Sequence, residues 1–150
     1  MVLDRFATWV KETAANLKTE VSKYKNRTFL EATVAGCALV AAADGNISSE
    51  EKQKMIGFMK QSDALNVFDI SEVIALFEKY SGQFSFDPVI GKGECLQVIG
   101  KLKKDTGASR LLIRVCCAVG AADGNFDDDE KAVVREICHE LGLNPEEFSL

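Results

Sequence analysis

Proline is scarce in this sequence, two residues in 150, and with only eleven glycines long stretches are free to run as helix. No alternating apolar–polar stretch and no Asn-Gly hairpin signal is present, which removes the usual marks of a β-sheet. The longest uncharged run, residues 32–43, is 12 residues long and falls short of the roughly 20 needed to span a bilayer, so it reads as a buried core helix. The first residues lack an apolar signal core, because Asp4, Arg5, Lys11 and Glu12 interrupt it. Five cysteines (Cys37, Cys95, Cys116, Cys117, Cys138) form an odd set without a CxxC pair, which reads as small buried hydrophobes of a reducing cytoplasm. Basic residues are outnumbered, 18 against 23, and the net charge of −5 argues against nucleic acid as a partner. The single histidine, His139, stands beside Glu140 with no Ser or Cys at a recognisable catalytic spacing, and reads as a residue near a helix C-terminus.

What is present is the composition of one globular domain, residues 1–150, long enough to bury about two-thirds of its surface without disulfides or a metal. Nine Phe against three Tyr plus Trp suit a dry core. Charge is polarised. Residues 1–30 hold six basic side chains against three acidic, whereas residues 123–150 hold nine acidic against two basic.

A repeat organises the chain. Ala42-Ala43-Asp44-Gly45-Asn46-Ile47-Ser48-Ser49-Glu50-Glu51-Lys52 realigns 79 residues later with Ala121-Ala122-Asp123-Gly124-Asn125-Phe126-Asp127-Asp128-Asp129-Glu130-Lys131, and Cys37 falls on Cys116. Each copy reads as an apolar helix, a glycine break and an acid-rich restart. Gly45 and Gly124 suit the left-handed conformation that closes a helix. Ser48 with Glu51, and Asp127 with Glu130, have the spacing of a capping box that opens the next one. The spacing predicts two helical hairpins, over 28–62 and 106–142, related by an approximate internal two-fold. Apolar periodicity adds a first amphipathic helix over 1–24 and connecting helices over 69–104, where the cap Asp69-Ile70-Ser71-Glu72 and the start signal Asp87-Pro88 lie. Asn144-Pro145-Glu146-Glu147 caps a terminal turn. The expected fold is all-α, a single bundle of about seven helices.

These residues resemble the bacterial tellurite-resistance TerB family. The likeness is carried by Tyr24-Lys25-Asn26, by the stretch from Ser48 to Phe58, by Ile90-Gly91-Lys92-Gly93-Glu94 and by the stretch from Ala122 to Lys131, in order and at matching spacing. The resemblance implies a cytoplasmic all-helical protein encoded among genes for resistance to tellurite and other stresses. It also implies association with other tellurite-resistance proteins, some of them membrane-bound, and with metal ions.

The two loops are the candidate site. Aligned to a calcium loop, Asp44, Gly45, Ile47 and Glu51 take positions 5, 6, 8 and 12, as do Asp123, Gly124, Phe126 and Glu130. Positions 1 and 3 are Val40 and Ala42, or Val119 and Ala121, so neither loop makes an EF-hand alone. Facing each other, the loops would pool Asp44, Glu51, Asp123 and Glu130, with Asn46 and Asn125, as oxygen donors for Ca²⁺, Mg²⁺ or Mn²⁺. The structural alternative is that glycine breaks and capping boxes explain both loops as helix punctuation. It leaves Asp44 and Asp123 over, since a helix C-terminus disfavours negative charge and calls for a cation or a nearby Lys or Arg.

Two further surfaces are marked. Asp127 and Glu130 serve the helix start, while Asp128 and Asp129 are not needed for it, so the run Asp127-Asp128-Asp129 is the candidate contact for a basic partner. Lys18, Lys23, Lys25 and Arg27 follow the apolar Phe6, Trp9 and Val10, a pattern suited to peripheral contact with the anionic inner face of the plasma membrane or with a partner. Gly91-Lys92-Gly93 lacks the frame of a phosphate loop. The expected function is a non-catalytic interaction or scaffold module with a divalent metal in its acidic loops. The alternative is a thiol- or metal-dependent enzyme acting on tellurium oxyanions through Cys37 and Cys116.

Overall fold

The structure, a computed structural model, describes residues 8–10, 12, 17–45, 47–121 and 126–150. Among the described residues there are seven α-helices longer than one turn and no strand: α1 (Leu17–Lys23), α2 (Arg27–Ala41), α3 (Ser49–Gln61), α4 (Ile70–Phe86), α5 (Pro88–Gly100), α6 (Thr106–Gly120) and α7 (Asp128–Glu140). Two 3₁₀ turns, Leu65–Val67 and Pro145–Phe148, complete the order. The protein is all-α, as its low proline content and 3.6-residue periodicity require.

Polar side chains decide where the helices start. Asn26 Oδ1 accepts from the Phe29 amide at 2.9 Å, Asp69 Oδ1 from Ser71 at 2.9 Å, Asp87 Oδ1 from Val89 at 2.9 Å and Asp105 Oδ1 from Ala108 at 3.1 Å. Each satisfies an amide that the first turn leaves without an intrahelical acceptor. Asp87 both follows the last residue of α4 and caps α5, whose first residue is Pro88. Phe86 therefore closes α4 rather than opening α5, because the residue before a proline is driven out of the helical region. The turn Leu65–Val67 is too short to show a period and had no sequence signal.

Helices α2 and α6 begin and end at positions offset by the same 79 residues as the sequence repeat, and so do α3 and α7. α2 is the central element, packed against α4, α5, α6 and α7. A helix enclosed on all sides must be apolar all round. That requirement explains the uncharged run 32–43, of which residues 32–40 are buried. Among the described residues no helix is long and apolar enough to cross a membrane.

Only part of the first expected helix is described. Thr8, Trp9, Val10 and Glu12 are helical, and α1 buries Leu17 and Val21 against the Leu65–Val67 turn and α6. Trp9 meets Phe148 edge to face at 5.6 Å, which ties the start of the chain to its end.

Candidate acidic site

The site begins where α2 stops. The Ala42 amide donates to Ala38 O at 3.0 Å and closes the last turn, and the Gly45 amide then donates to Ala42 O at 2.8 Å. Gly45 takes φ +94°, so the left-handed residue lies three positions beyond the cap rather than at it. Ala42 and Ala43 finish the helix; the glycine reverses the chain toward α3. The restart is a complete capping box: Ser48 Oγ accepts from the Glu51 amide at 3.1 Å, and Glu51 Oε1 accepts from the Ser48 amide at 3.5 Å. The second hairpin repeats it more tightly. Asp127 Oδ1 accepts from the Glu130 amide at 2.8 Å and Glu130 Oε1 from the Asp127 amide at 3.1 Å.

These two restarts share a cavity of about 200 Å³ whose walls include Asp44, Glu51, Asp127, Glu130 and Lys54, over an apolar floor of Val40, Met55 and Phe58. Three of the four acids expected to pool as metal ligands thus line one pocket, Asp44 and Glu51 from the first hairpin and Glu130 from the second. Asp123 lies outside the described residues, as do Asn46 and Asn125. Asp127, expected at a partner surface, joins the pocket wall as well. Asp128 and Asp129 are exposed and do not line it.

Lys54 was missed by the sequence reading. It stands three residues after Glu51 on α3, hence on the same helix face, with its ammonium 5.8 Å from the Phe58 ring centroid. That i, i+3 spacing was the available signal. It brings a positive charge into the wall that Asp44 also lines.

The donors present are hard oxygens, the kind Ca²⁺, Mg²⁺ and Mn²⁺ prefer. Glu51 and Glu130 each accept a helix-cap hydrogen bond at Oε1. Among the described residues no three acids, histidines or cysteines converge closely enough to hold a metal by themselves.

Elsewhere, Lys18, Lys23 and Lys25 are exposed, whereas Arg27 pairs with Glu31 at 3.9 Å and with Glu72 at 3.7 Å. The apolar side of α1 is spent on the bundle, so its basic residues offer charge without an apolar face. All five thiols are free and buried. The repeat-related Cys37 and Cys116 touch in the core. The hydrogen bond to Cys37 and then burial push the Cys116 thiol up, and burial lifts Cys95 and Cys138 to about 12. Gly91 is a packing residue: a Cβ there would lie 2.7 Å from the Phe84 backbone nitrogen, so its absence lets α5 close on α4.

Comparison with known proteins agrees with this architecture. The family described as "Tellurite resistance protein TerB" matches residues 30–150, which hold both hairpins and the connecting helices. The chain is 50% identical over 99 residues to the "Tellurium resistance protein TerB" of Alcaligenes sp, across 66% of this chain and 81% of that protein. No solved structure matches. With a match running from the second residue after Thr28 to the last residue, and with the repeat, its caps and its acids all inside it, the chain belongs to the TerB family of tellurite-resistance proteins.

Proposed function

We propose that this TerB-family chain is a non-catalytic interaction module of tellurite and stress resistance that takes up a divalent cation between its two repeat-related loops. The observation that carries the reading is that Asp44, Glu51, Asp127 and Glu130, from two hairpins 79 residues apart, line one pocket. Helix punctuation accounts for Glu51, Asp127 and Glu130 singly; it does not require them to line one pocket. Asp123 is the further donor this reading requires, and Lys54 is the charge a cation would displace from the wall. The bound ion would fix the two loops relative to each other, and the chain's own part is to present carboxylate oxygens on two rigid helix starts.

Titration calorimetry with Ca²⁺, Mg²⁺ and Mn²⁺ on chelator-stripped protein tests it. A saturable heat and a rise in melting temperature are expected, both lost in the Asp44→Ala, Asp123→Ala double variant. No heat and no thermal shift at millimolar metal would retire the reading.

Peripheral membrane contact, in this proposal, runs through Lys18, Lys23 and Lys25 and is purely electrostatic, at roughly 1 kcal/mol per basic group near an anionic surface. Flotation with anionic vesicles at low salt should recover the protein, and added salt should release it. The competing thiol enzyme must use groups that burial holds protonated and out of reach of an oxyanion. Replacing Cys37 and Cys116 with Ala should leave cellular tellurite resistance intact; its loss would favour the enzyme.

A further inference from the structure

Among the described residues three large apolar side chains stand in water, and they stand together. Phe86 is 86% exposed, Val89 80% and Ile90 49%, all at the corner between α4 and α5. Val89 also walls a concavity of about 600 Å³, larger than the acidic pocket and on the other side of the Ala43 turn that both share. Its floor is apolar: Leu39 and Ala42 from the end of α2, Phe84 from α4, and Ala132 and Val133 from α7. Gly93 lines it too, and a Cβ built there would meet nothing within 4 Å, so another backbone has room to approach. The rim is charged on one side. Asp129 and Glu136 come from α7, and Lys92 from α5 is bound to Glu136 at 2.8 Å, which leaves a net acidic edge.

We propose that this groove docks an amphipathic helix of a partner protein, one whose apolar stripe is flanked by Lys or Arg. The proposal rests on the interaction-module reading but on different residues from the cation pocket. An apolar trough with an exposed aliphatic residue, Val89, in its wall is the receptor half of helix-in-groove recognition. The acidic edge selects the sign of the flanking charge. A lipid leaflet is a poorer occupant, since it is flat and its anionic surface would face Asp129 and Glu136. A second copy is also poorer, because a two-fold contact here would set the same acidic edge against itself on a chain of net charge −5.

The test uses the full chain and a fluorescein-labelled synthetic helix of about 18 residues, Leu on one face and Lys on the other, beside the same peptide with Glu for Lys. Anisotropy should rise with the Lys peptide at micromolar protein, and the Glu peptide should bind at least about tenfold more weakly. Val89→Glu and Ala132→Glu, both at exposed positions and checked for folding by circular dichroism, should each weaken binding at least about tenfold. Asp129→Asn with Glu136→Gln should shrink the preference for Lys over Glu. Glu78→Lys, on the exposed side of α4, should change nothing. Equal binding to wild type and both groove variants overturns the proposal, as does no rise at about 100 μM protein. So does a dimer that Val89→Glu dissolves, or sedimentation with phosphatidylserine vesicles that Val89→Glu abolishes. Calcium titration of Val89→Glu separates the two readings: an unchanged cation heat beside lost peptide binding leaves the pocket standing, and peptide binding without any cation heat leaves the groove standing.

Discussion

Single side chains fix the helix starts, and a single missing one fixes the approach of α5 to α4. Removing the Asp127 side chain orphans the Glu130 amide and frees the Glu130 carboxylate from its cap, so Asp127→Ala should cost about 1 kcal/mol in urea unfolding. Asp128→Ala, one residue later and outside the box, should change stability by less than about 0.5 kcal/mol. Two glycines two residues apart on α5 separate packing from propensity. Gly91→Ala drives a methyl into the α4 backbone, with contacts of 2.7–2.9 Å that no rotamer relieves, and should destabilise by about 1–3 kcal/mol. Gly93→Ala meets nothing and should stabilise by about 0.5–1 kcal/mol through helix propensity. Thermal melts of the two variants, moving in opposite directions, check the assignment. From sequence, Gly91 and Gly93 looked alike, because what distinguishes them is the neighbouring helix.

At the scale of elements, the capping boxes at Ser48 and Asp127 were legible because capping partners lie within one turn of each other. The pocket those boxes line depended on how two hairpins 79 residues apart approach, which no local spacing encodes. α1 shows the same division. Its amphipathic pattern was readable, but the partners it meets, among them Arg114 of α6 paired with Glu20, lie far away in the chain. Both side chains are partly exposed, 36% and 26%, so Glu20→Gln should cost less than about 1 kcal/mol globally. The larger effect should be local: amide exchange across residues 17–23 should accelerate, while α2 and α6 remain protected.

The whole molecule is a bundle around α2, and four helices, α2, α5, α6 and α7, carry buried thiols. The Cys95 and Cys138 thiols are held near 12, against an ordinary value of 9.0, because burial penalises the thiolate. The unfolded chain releases these protons above pH 9 and the folded one keeps them. Stability is therefore full below pH 9 and falls as pH climbs toward 12. Urea midpoints at about pH 7, 9 and 10.5 should decline in that order, and Cys95→Ala should flatten the decline. Iodoacetamide at neutral pH should leave the native protein unmodified and label all five thiols in urea. Rapid labelling of Cys37 or Cys116 in the folded state would return weight to thiol chemistry.

The sequence by itself determined the all-α class, the helix starts and the charge polarity. Periodicity, capping and turn chemistry act over four residues or fewer, so the chain writes them down directly. It also marked Asp44, Glu51 and Glu130, through a repeat that sets like residues at like places. Only the tertiary structure decided that these acids share a pocket with Lys54, that Cys37 touches Cys116, and that Phe86, Val89 and Ile90 are left in water, Val89 in the wall of an acid-edged groove. Those facts depend on which faces of separate helices meet, and apolar residues carry no label saying whether they face their own core or a partner.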